Sequence, residues 1–173
     1  AANHTHTISN TIEIAHADTL AAGATYSIAN GKKLSGTAAF LTGDTISGNG
    51  EVEITACNAT PAADLDAITS AEATMIFAGD LDASTPFTGN FAAAADTSID
   101  TSENGTARAI TLTGGMTNGK TYSLDNDITL TSTAAILNGK TIDGAGAVAI
   151  TAGQATLTAV LSGITTSTSS YAC

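Results

Sequence analysis

The chain has 173 residues, a net charge of −11 and only five basic residues. Nucleic acids and anionic membrane surfaces both require Lys and Arg to neutralise phosphates, so this charge excludes both as partners. Aromatic residues make up 4% of the chain and Trp is absent, which favours thin, regularly layered packing over one thick core. The sequence shows no transmembrane span, and its start at Ala1 is typical of a mature secreted product.

Short strands dominate the predicted structure. The segment from His4 to Ile14 alternates apolar and polar residues, as a half-buried strand does. Further alternating runs follow, separated by Gly- and Asn-rich turns: Thr25–Ile28, Val52–Thr55, Ile110–Thr113, Ile128–Thr131, Val148–Thr151 and Thr156–Thr158. The one stretch with helical spacing is Ala62 to Phe77, where Pro61 precedes Leu65, Ile68 and Ala71.

A segment of the chain occurs twice. Residues 22–56 and 118–152 align without a gap at an offset of 96 residues, and 19 of 35 positions are identical. The copies extend to about 22–57 and 118–153, and a degenerate third copy covers about 85–113. No linker divides the chain, which predicts one β domain over residues 1–173 with a polar tail at 165–173.

The large apolar residues of both copies recur every six positions. They are Ile28, Leu34, Phe40, Ile46 and Val52 in the first copy, and Leu124, Leu130, Ile136, Ile142 and Val148 in the second. An even spacing keeps them on one face of extended backbone. Copies of this kind predict a β-solenoid in which each turn covers the apolar face of its neighbour.

The segments 45–52 and 137–148 resemble rungs of right-handed parallel β-helix proteins, the pectin-lyase-like and adhesin group. A left-handed hexapeptide helix fits less well, because Lys32 and Asp44 occupy positions that require small residues. The alternative fold is a pilin-like β-sandwich in which the N-terminal strand is donated to a neighbouring subunit.

The resemblance carries no catalytic residue. Enzymes of that group use clustered Asp with Lys, Arg or His, whereas the only Arg here is Arg108 and no Asp-Asp pair is present. We therefore do not expect an enzyme.

Other candidate sites are few. Asp80 with Asp82, and Asp125 with Asp127, each place two carboxylates on one side of extended chain, the kind of ligand that Ca²⁺ prefers. No other cofactor is expected. His4 and His6 would share a strand face and offer two imidazoles to a metal, although a solvated N-terminal arm explains them better.

Cys57 and Cys173 are the only cysteines. In an oxidising compartment they are expected to close a long loop as a disulfide, with two free thiols or intermolecular bonding as the alternatives. Asn3, Asn58 and Asn104 lie in glycosylation triplets.

These features predict a secreted structural subunit, extracellular or at a cell surface, that binds copies of itself through strand edges to form a homopolymeric filament or surface layer. The alternatives are a glycan-binding adhesin or spike module, and a polysaccharide-degrading β-helix enzyme.

Overall fold

The computed structural model describes residues 5–13, 25–82, 84–88, 96–101, 105–114, 116, 119–151 and 159–171. Within these ranges, short strands are joined by tight corners and two four-residue helices. The first seven strands are β1 (Thr5–Ile8), β2 (Ile12–Glu13), β3 (Thr25–Ile28), β4 (Lys33–Thr37), β5 (Thr45–Gly48), β6 (Glu51–Thr55) and β7 (Glu72–Phe77). The next seven are β8 (Asp96–Thr101), β9 (Arg108–Thr111), β10 (Thr121–Leu124), β11 (Ile128–Thr133), β12 (Thr141–Gly144), β13 (Ala147–Thr151) and β14 (Thr168–Tyr171).

One long sheet forms a side of the molecule. Its seven strands lie in the order β2, β4, β6, β7, β8, β10, β12, and a bridge from Ile142 to Ile164 adds one further position. The opposite side holds two shorter sheets, β1-β3-β5 and β9-β11-β13-β14, which are extended by bridges to Ile68 and to Leu81 and Phe87. The chain alternates between the two sides, so its path is a coil.

All strand pairs among the described residues are parallel. The architecture is a β-solenoid, which confirms the predicted fold class. The pilin-like alternative is wrong, because the sheets of such sandwiches pair antiparallel strands. The N-terminal segment is also not donated: β1 pairs with β3, and β2 with β4, of the same chain.

The two sequence copies lie on opposite sides of the coil. In the first copy β4 and β6 belong to the long sheet, whereas their counterparts β11 and β13 belong to the short sheet opposite. Four turns separate β4 from β10, by way of β6, β7 and β8. Strand β11 lies half a turn further. The offset of 96 residues therefore spans 4.5 turns, and the copies are related by a half-turn about the coil axis.

The corners exchange places in the same way. Because the strands of the long sheet are parallel, the chain always enters that sheet at one edge and leaves it at the other; we call these the entry edge and the exit edge. Helix α1 (Ala38–Leu41) follows β4 at the exit edge, whereas α2 (Ala134–Leu137) leads into β12 at the entry edge. Thr37 and Thr133 cap them by accepting from Phe40 N and Ile136 N.

The core consists of stacked rows of inward-facing side chains. Ile46 lies between Tyr26 and Ile68, and Ile142 lies between Tyr122 and Ile164, in matching registers. Both isoleucines are fully buried, as the repeat predicts. The six-residue rhythm holds in the strands but fails at the helical corners. There Phe40 and Ile136 are half-buried, and Leu41 and Leu137 are the buried residues.

Glycines form the tight corners after β5 and β12. Gly48 and Gly144 have φ of 105° and 100°, a region that residues with a Cβ rarely adopt. A Cβ at either position would lie 2.3 Å from a carbonyl oxygen of the preceding turn, that of Ile28 or Leu124. The corners therefore require Gly for conformation and for space.

The helix predicted over Ala62 to Phe77 is wrong. Residues 61–71 form turns and Glu72–Phe77 is strand β7, whose burial alternates residue by residue. Leu65 and Ile68 do not share a helical face. Leu65 lies at a corner of the coil, and Ile68 follows that corner and bridges to Ile46.

The duplication reaches further than its identical residues indicate. Leu65 and Ile68 have counterparts 96 residues later in Leu161 and Ile164, and Ile164 bridges to Ile142 as Ile68 bridges to Ile46. Strand β14, which pairs with β13, is likewise the counterpart of β7, which pairs with β6. Most of the segment predicted as a polar tail thus contributes a rung of the coil.

Candidate functional site

The first candidate surface is the end of the coil formed by β1, which we call the leading end. His6 occupies the inward position of β1, opposite Tyr26, and the two rings stack with centroids 5.3 Å apart. His6 is exposed, although the same row is buried one turn further on, at Tyr26. An inward position is therefore open to solvent at this end.

The opposite surface, the trailing end, consists of residues 159–171. Val160 is 58% exposed, the most exposed large hydrophobic residue in the described part of the chain. Leu161 and Ile164 pack against the core but are only partly buried. Backbone hydrogen bonds to the turn after α2 and to β12 hold this rung in place: Gly139 N donates to Val160 O, and Ile142 N donates to Gly163 O.

The internal counterparts show what a covered rung looks like. Leu65 and Ile68 are 1% and 0% exposed, because the segment with Leu81 and Phe87 occupies the next position of the coil on their side. Their equivalents Leu161 and Ile164 have the same backbone arrangement without that cover. The trailing end is thus a rung of the ordinary type whose outer surface is open among the described residues.

Neither end strand carries the usual protection against edge pairing. Soluble proteins prevent pairing at such edges with Lys or Pro. Thr5–Ile8 and Thr168–Tyr171 contain no Lys and no Pro. In the described residues β1 pairs only with β3, and β14 only with β13. Each of these strands therefore has one edge that is not paired within the described structure.

The exit edge is strongly acidic. The predicted calcium ligands lie there, but their carboxylates accept backbone hydrogen bonds at separate corners. Asp80 Oδ1 accepts from Ala109 N at 3.0 Å, Asp127 Oδ2 from Gly105 N at 2.6 Å, and Asp125 Oδ1 from Asn126 N at 2.7 Å.

Asp82 caps its own turn by accepting from Ser84 and Thr85, and the hydroxyl and backbone donors of these residues lower its pKa to about 2. Over the described ranges no three His, Cys, Asp or Glu side chains form a group that could hold a metal ion. The calcium site stays a prediction.

Asp100 belongs to a crowded part of the exit edge. Its pKa is raised, first by burial and then by the neighbouring carboxyls of Asp125 and Asp127. Its Oδ1 accepts from Thr101 N at 2.6 Å. The charged form of Asp100 is therefore disfavoured in the folded protein.

The entry edge contains an ion-pair cluster. Lys33 Nζ lies 3.0 Å from Glu51 Oε1 and 2.8 Å from Glu53 Oε2, across the β4–β6 ladder. The hydrogen bond with Glu53 raises the pKa of Lys33, and the same bond lowers the pKa of Glu53. A polar cleft of about 390 Å³ lies beside this cluster, lined by Thr11, Asn30, Gly31, Lys32, Lys33, Asn49, Gly50, Glu51 and Glu72.

Cys57 is a free, fully buried thiol in this structure. Its Sγ donates to Ile54 O at 3.4 Å, and burial raises its pKa to about 12. Cys173 lies outside the described residues, so the disulfide between the two stays a prediction.

The remaining sequence candidates are mostly outside the described chain. His4, Asn3 and Asn104 lie there, whereas Asn58 is described and its Oδ1 accepts from Ala78 N at 3.1 Å. The sequence patterns gave no indication of Val160 as part of a surface, because a lone Val in an Ala- and Thr-rich stretch is an ordinary strand residue. Its counterpart 96 residues earlier is Asp64, which is exposed although the coil continues beyond it, so Val160 occupies an outward position of the rung.

Comparisons with protein-family models, with curated proteins and with solved structures find no match. In the described part of the chain no helix is long and apolar enough to cross a membrane.

Proposed function

We propose that this chain is a structural subunit that adds to copies of itself end to end through its open rungs. The observation that carries the proposal is the contrast between Ile68, which is fully buried, and its equivalent Ile164, which is not. A second chain stacked on the trailing end would bury Leu161 and Ile164, as the coil buries their counterparts Leu65 and Ile68. Fully burying an exposed side chain of this size is worth roughly 1.5–3 kcal/mol, and these two side chains, which are already partly buried, gain the remaining part of that on stacking.

The unpaired strand edges supply the directional part of the contact. Parallel pairing of a second chain on β1 or β14 extends sheets that are already parallel, and backbone hydrogen bonds provide affinity as in β-strand addition. The product of repeated addition is an extracellular filament or layer. The secreted location forms part of the proposal and is supported by the Thr-, Ser- and Gly-rich, Lys-poor composition.

A concentration series tests this function. Sedimentation velocity and negative-stain microscopy of the purified chain are expected to show polymers that lengthen as concentration rises. Dispersed monomers at every concentration up to the solubility limit would overturn the proposal. Calcium chelation serves as the control, since assembly through open rungs does not depend on a metal.

A second candidate function is glycan binding, and the entry-edge cleft is the observation that favours it. Asn30, Lys32 and Asn49 offer amide and ammonium donors beside the carboxylates of Glu51 and Glu72, the mixture that sugar hydroxyls require. A glycan array probes it: binding that Lys32→Ala abolishes supports a cleft site, and an array without hits rejects it.

We also propose kinship with the right-handed pectin-lyase-like and adhesin group. The support is the Gly, Ile and Thr pattern of segments 45–52 and 137–148, which form equivalent corners here. An experimental structure showing a left-handed coil would contradict this kinship.

A further inference from the structure

The way in which the coil continues inside the chain defines what an incoming copy must fill. After β7, the segment with Leu81 and Phe87 lies on the side opposite the long sheet, and β8 then pairs directly with β7 over six residues. That segment occupies the next position on the side of Ile68. Strand β8 can therefore stack on β7 without leaving an empty place in the coil.

The trailing end has no equivalent of this segment among the described residues. The rung of Ile164 lies on the long-sheet side, and β14 follows it half a turn later on the opposite side. The next free position in the winding is therefore the one next to Ile164, on the long-sheet side. Only after it comes the position next to β14.

At the leading end the chain visits the two sides in the reverse order: first the side opposite the long sheet, then the long sheet. Its first strand, β1, lies opposite the long sheet, and β2 lies in the long sheet. If a second copy stacked without rotation, its β1 would pair with β14, and the position next to Ile164 would stay empty. If the second copy turned by half a revolution, its β1 would take the position next to Ile164 and its β2 the position next to β14.

We propose that successive copies stack head to tail with a half-turn between them, so that β1 of one copy pairs with the strand around Ile164 of the preceding copy. This inference rests on the proposed end-to-end assembly and specifies its geometry. It places His6 of the incoming copy against Ile164, continuing the row Tyr122, Ile142, Ile164. The same half-turn already relates the two sequence copies within one chain.

The register follows from continuing that inward row. With His6 opposite Ile164, Thr7 of the incoming copy lies opposite Thr165, and both positions face outward and are exposed. In the unrotated arrangement the outward positions of β1 would instead face those of β14, such as Ser170, which is also exposed. Neighbouring parallel strands are about 4.8 Å apart, a distance that a disulfide spans.

Cysteine cross-linking distinguishes the two arrangements. Two double variants are made in a Cys173→Ser background: Thr7→Cys with Thr165→Cys, and Thr7→Cys with Ser170→Cys. Buried Cys57 does not compete, because its thiol is inaccessible. After mild oxidation of assembled material, the first variant is expected to give a ladder of covalent multimers in denaturing gels, with at least a tenfold excess over the second.

The outcomes separate this inference from the proposed function. Polymers that cross-link through Ser170, or through neither pair, overturn the half-turn while leaving end-to-end assembly standing. Absence of polymers from the parent chain overturns both. Electron microscopy of uncross-linked polymers supplies a second measurement. The described strands and bridges occupy eight positions on the long-sheet side and nine on the opposite side, so 17 half-turns make 8.5 turns per copy. These turns correspond to an axial repeat of about 40 Å at the rung spacing of parallel sheets.

Discussion

Ile68 and Ile164 occupy the same position in two turns of the coil 96 residues apart, yet the first is sealed from water and the second is partly open. Both bridge to an isoleucine that is itself fully buried, Ile46 or Ile142. The difference arises from the neighbouring turn and not from the local sequence. The predictions below test the coil, its corners and its open end.

Replacing Ile164 with Lys is expected to raise the concentration needed for assembly at least tenfold in protein that circular dichroism shows to be folded, because the counterpart Ile68 is fully buried under the next turn. Burying the ammonium at a contact between copies is unfavourable, and a loss of about 1.4 kcal/mol already corresponds to a factor of ten. Sedimentation velocity measures the shift. The matched control is Ala39→Lys, which adds the same charge at an exposed helical position away from both ends; equal effects of the two variants would rule out the trailing end.

Ile46→Ala and Ile142→Ala are each expected to destabilise the fold by about 2–5 kcal/mol, the usual cost of emptying a fully packed site. Their similar surroundings predict similar losses, which urea unfolding monitored by circular dichroism can compare. Phe40→Ala serves as the control at a half-buried member of the same six-residue series. A larger loss for Phe40→Ala than for either isoleucine variant would be incompatible with the core rows described.

Gly48→Ala and Gly144→Ala are expected to prevent or severely weaken folding, because the new Cβ meets a carbonyl oxygen at 2.3 Å in addition to the strained φ. Gly43→Ala separates the two causes. Its φ is also positive, at 76°, but nothing lies within 4 Å of the added carbon, so its cost is limited to about 1–2 kcal/mol of backbone strain. Thermal melts of the three variants measure these stability losses. Equal losses in all three would show that lack of space for the added Cβ is not their cause.

Asp100→Asn is expected to stabilise the protein at neutral pH and to have little effect near pH 3. Burial and the carboxyls of Asp125 and Asp127 raise the pKa of Asp100 in the folded state. Its ionisation therefore opposes folding, and stability is lost as the pH rises through the raised pKa. Urea midpoints at the two pH values measure the effect; a destabilised variant at pH 7 would contradict the assignment.

Cys57 is expected to resist alkylation in the folded protein and to react readily once the chain is denatured. A buried thiol whose pKa is about 12 is almost entirely protonated at neutral pH, and only the thiolate is nucleophilic. Peptide mapping after iodoacetamide treatment, with Cys173 as the internal comparison, provides the measurement. Non-reducing mass spectrometry of the same samples tests the predicted disulfide: an intact bridge would leave neither thiol to modify until reductant is added.

The coil was predictable because the sequence contains two similar copies, and such copies stack as successive turns of a solenoid. Alternation of apolar and polar residues indicated the strand faces, and Gly48 and Gly144 lie at corners that no other residue fits. The side on which each copy lies was not predictable. It depends on how many half-turns residues 57–117 contribute, and that stretch has irregular insertions without periodicity.

The helical corners were missed for a related reason. Helices α1 and α2 have only four residues each, too few for a periodic pattern, and only the capping Thr37 and Thr133 indicate where they begin. Of the candidate site, the strand character of the N-terminal segment was predicted and is confirmed at Thr5–Ile8, but the single strand expected over His4 to Ile14 is wrong, because Ile12–Glu13 belongs to the sheet on the other side of the coil. The openness of the trailing rung depends on what the chain fails to cover, which residue patterns do not encode.

The exchange of sides between the copies has a practical consequence for engineering. A loop or tag grafted at one position of the first copy and at its counterpart in the second would project from opposite flanks, about four and a half rungs apart. A single chain therefore presents grafted groups on two opposite sides of the coil. Grafting at one site alone would give particles decorated on one flank only.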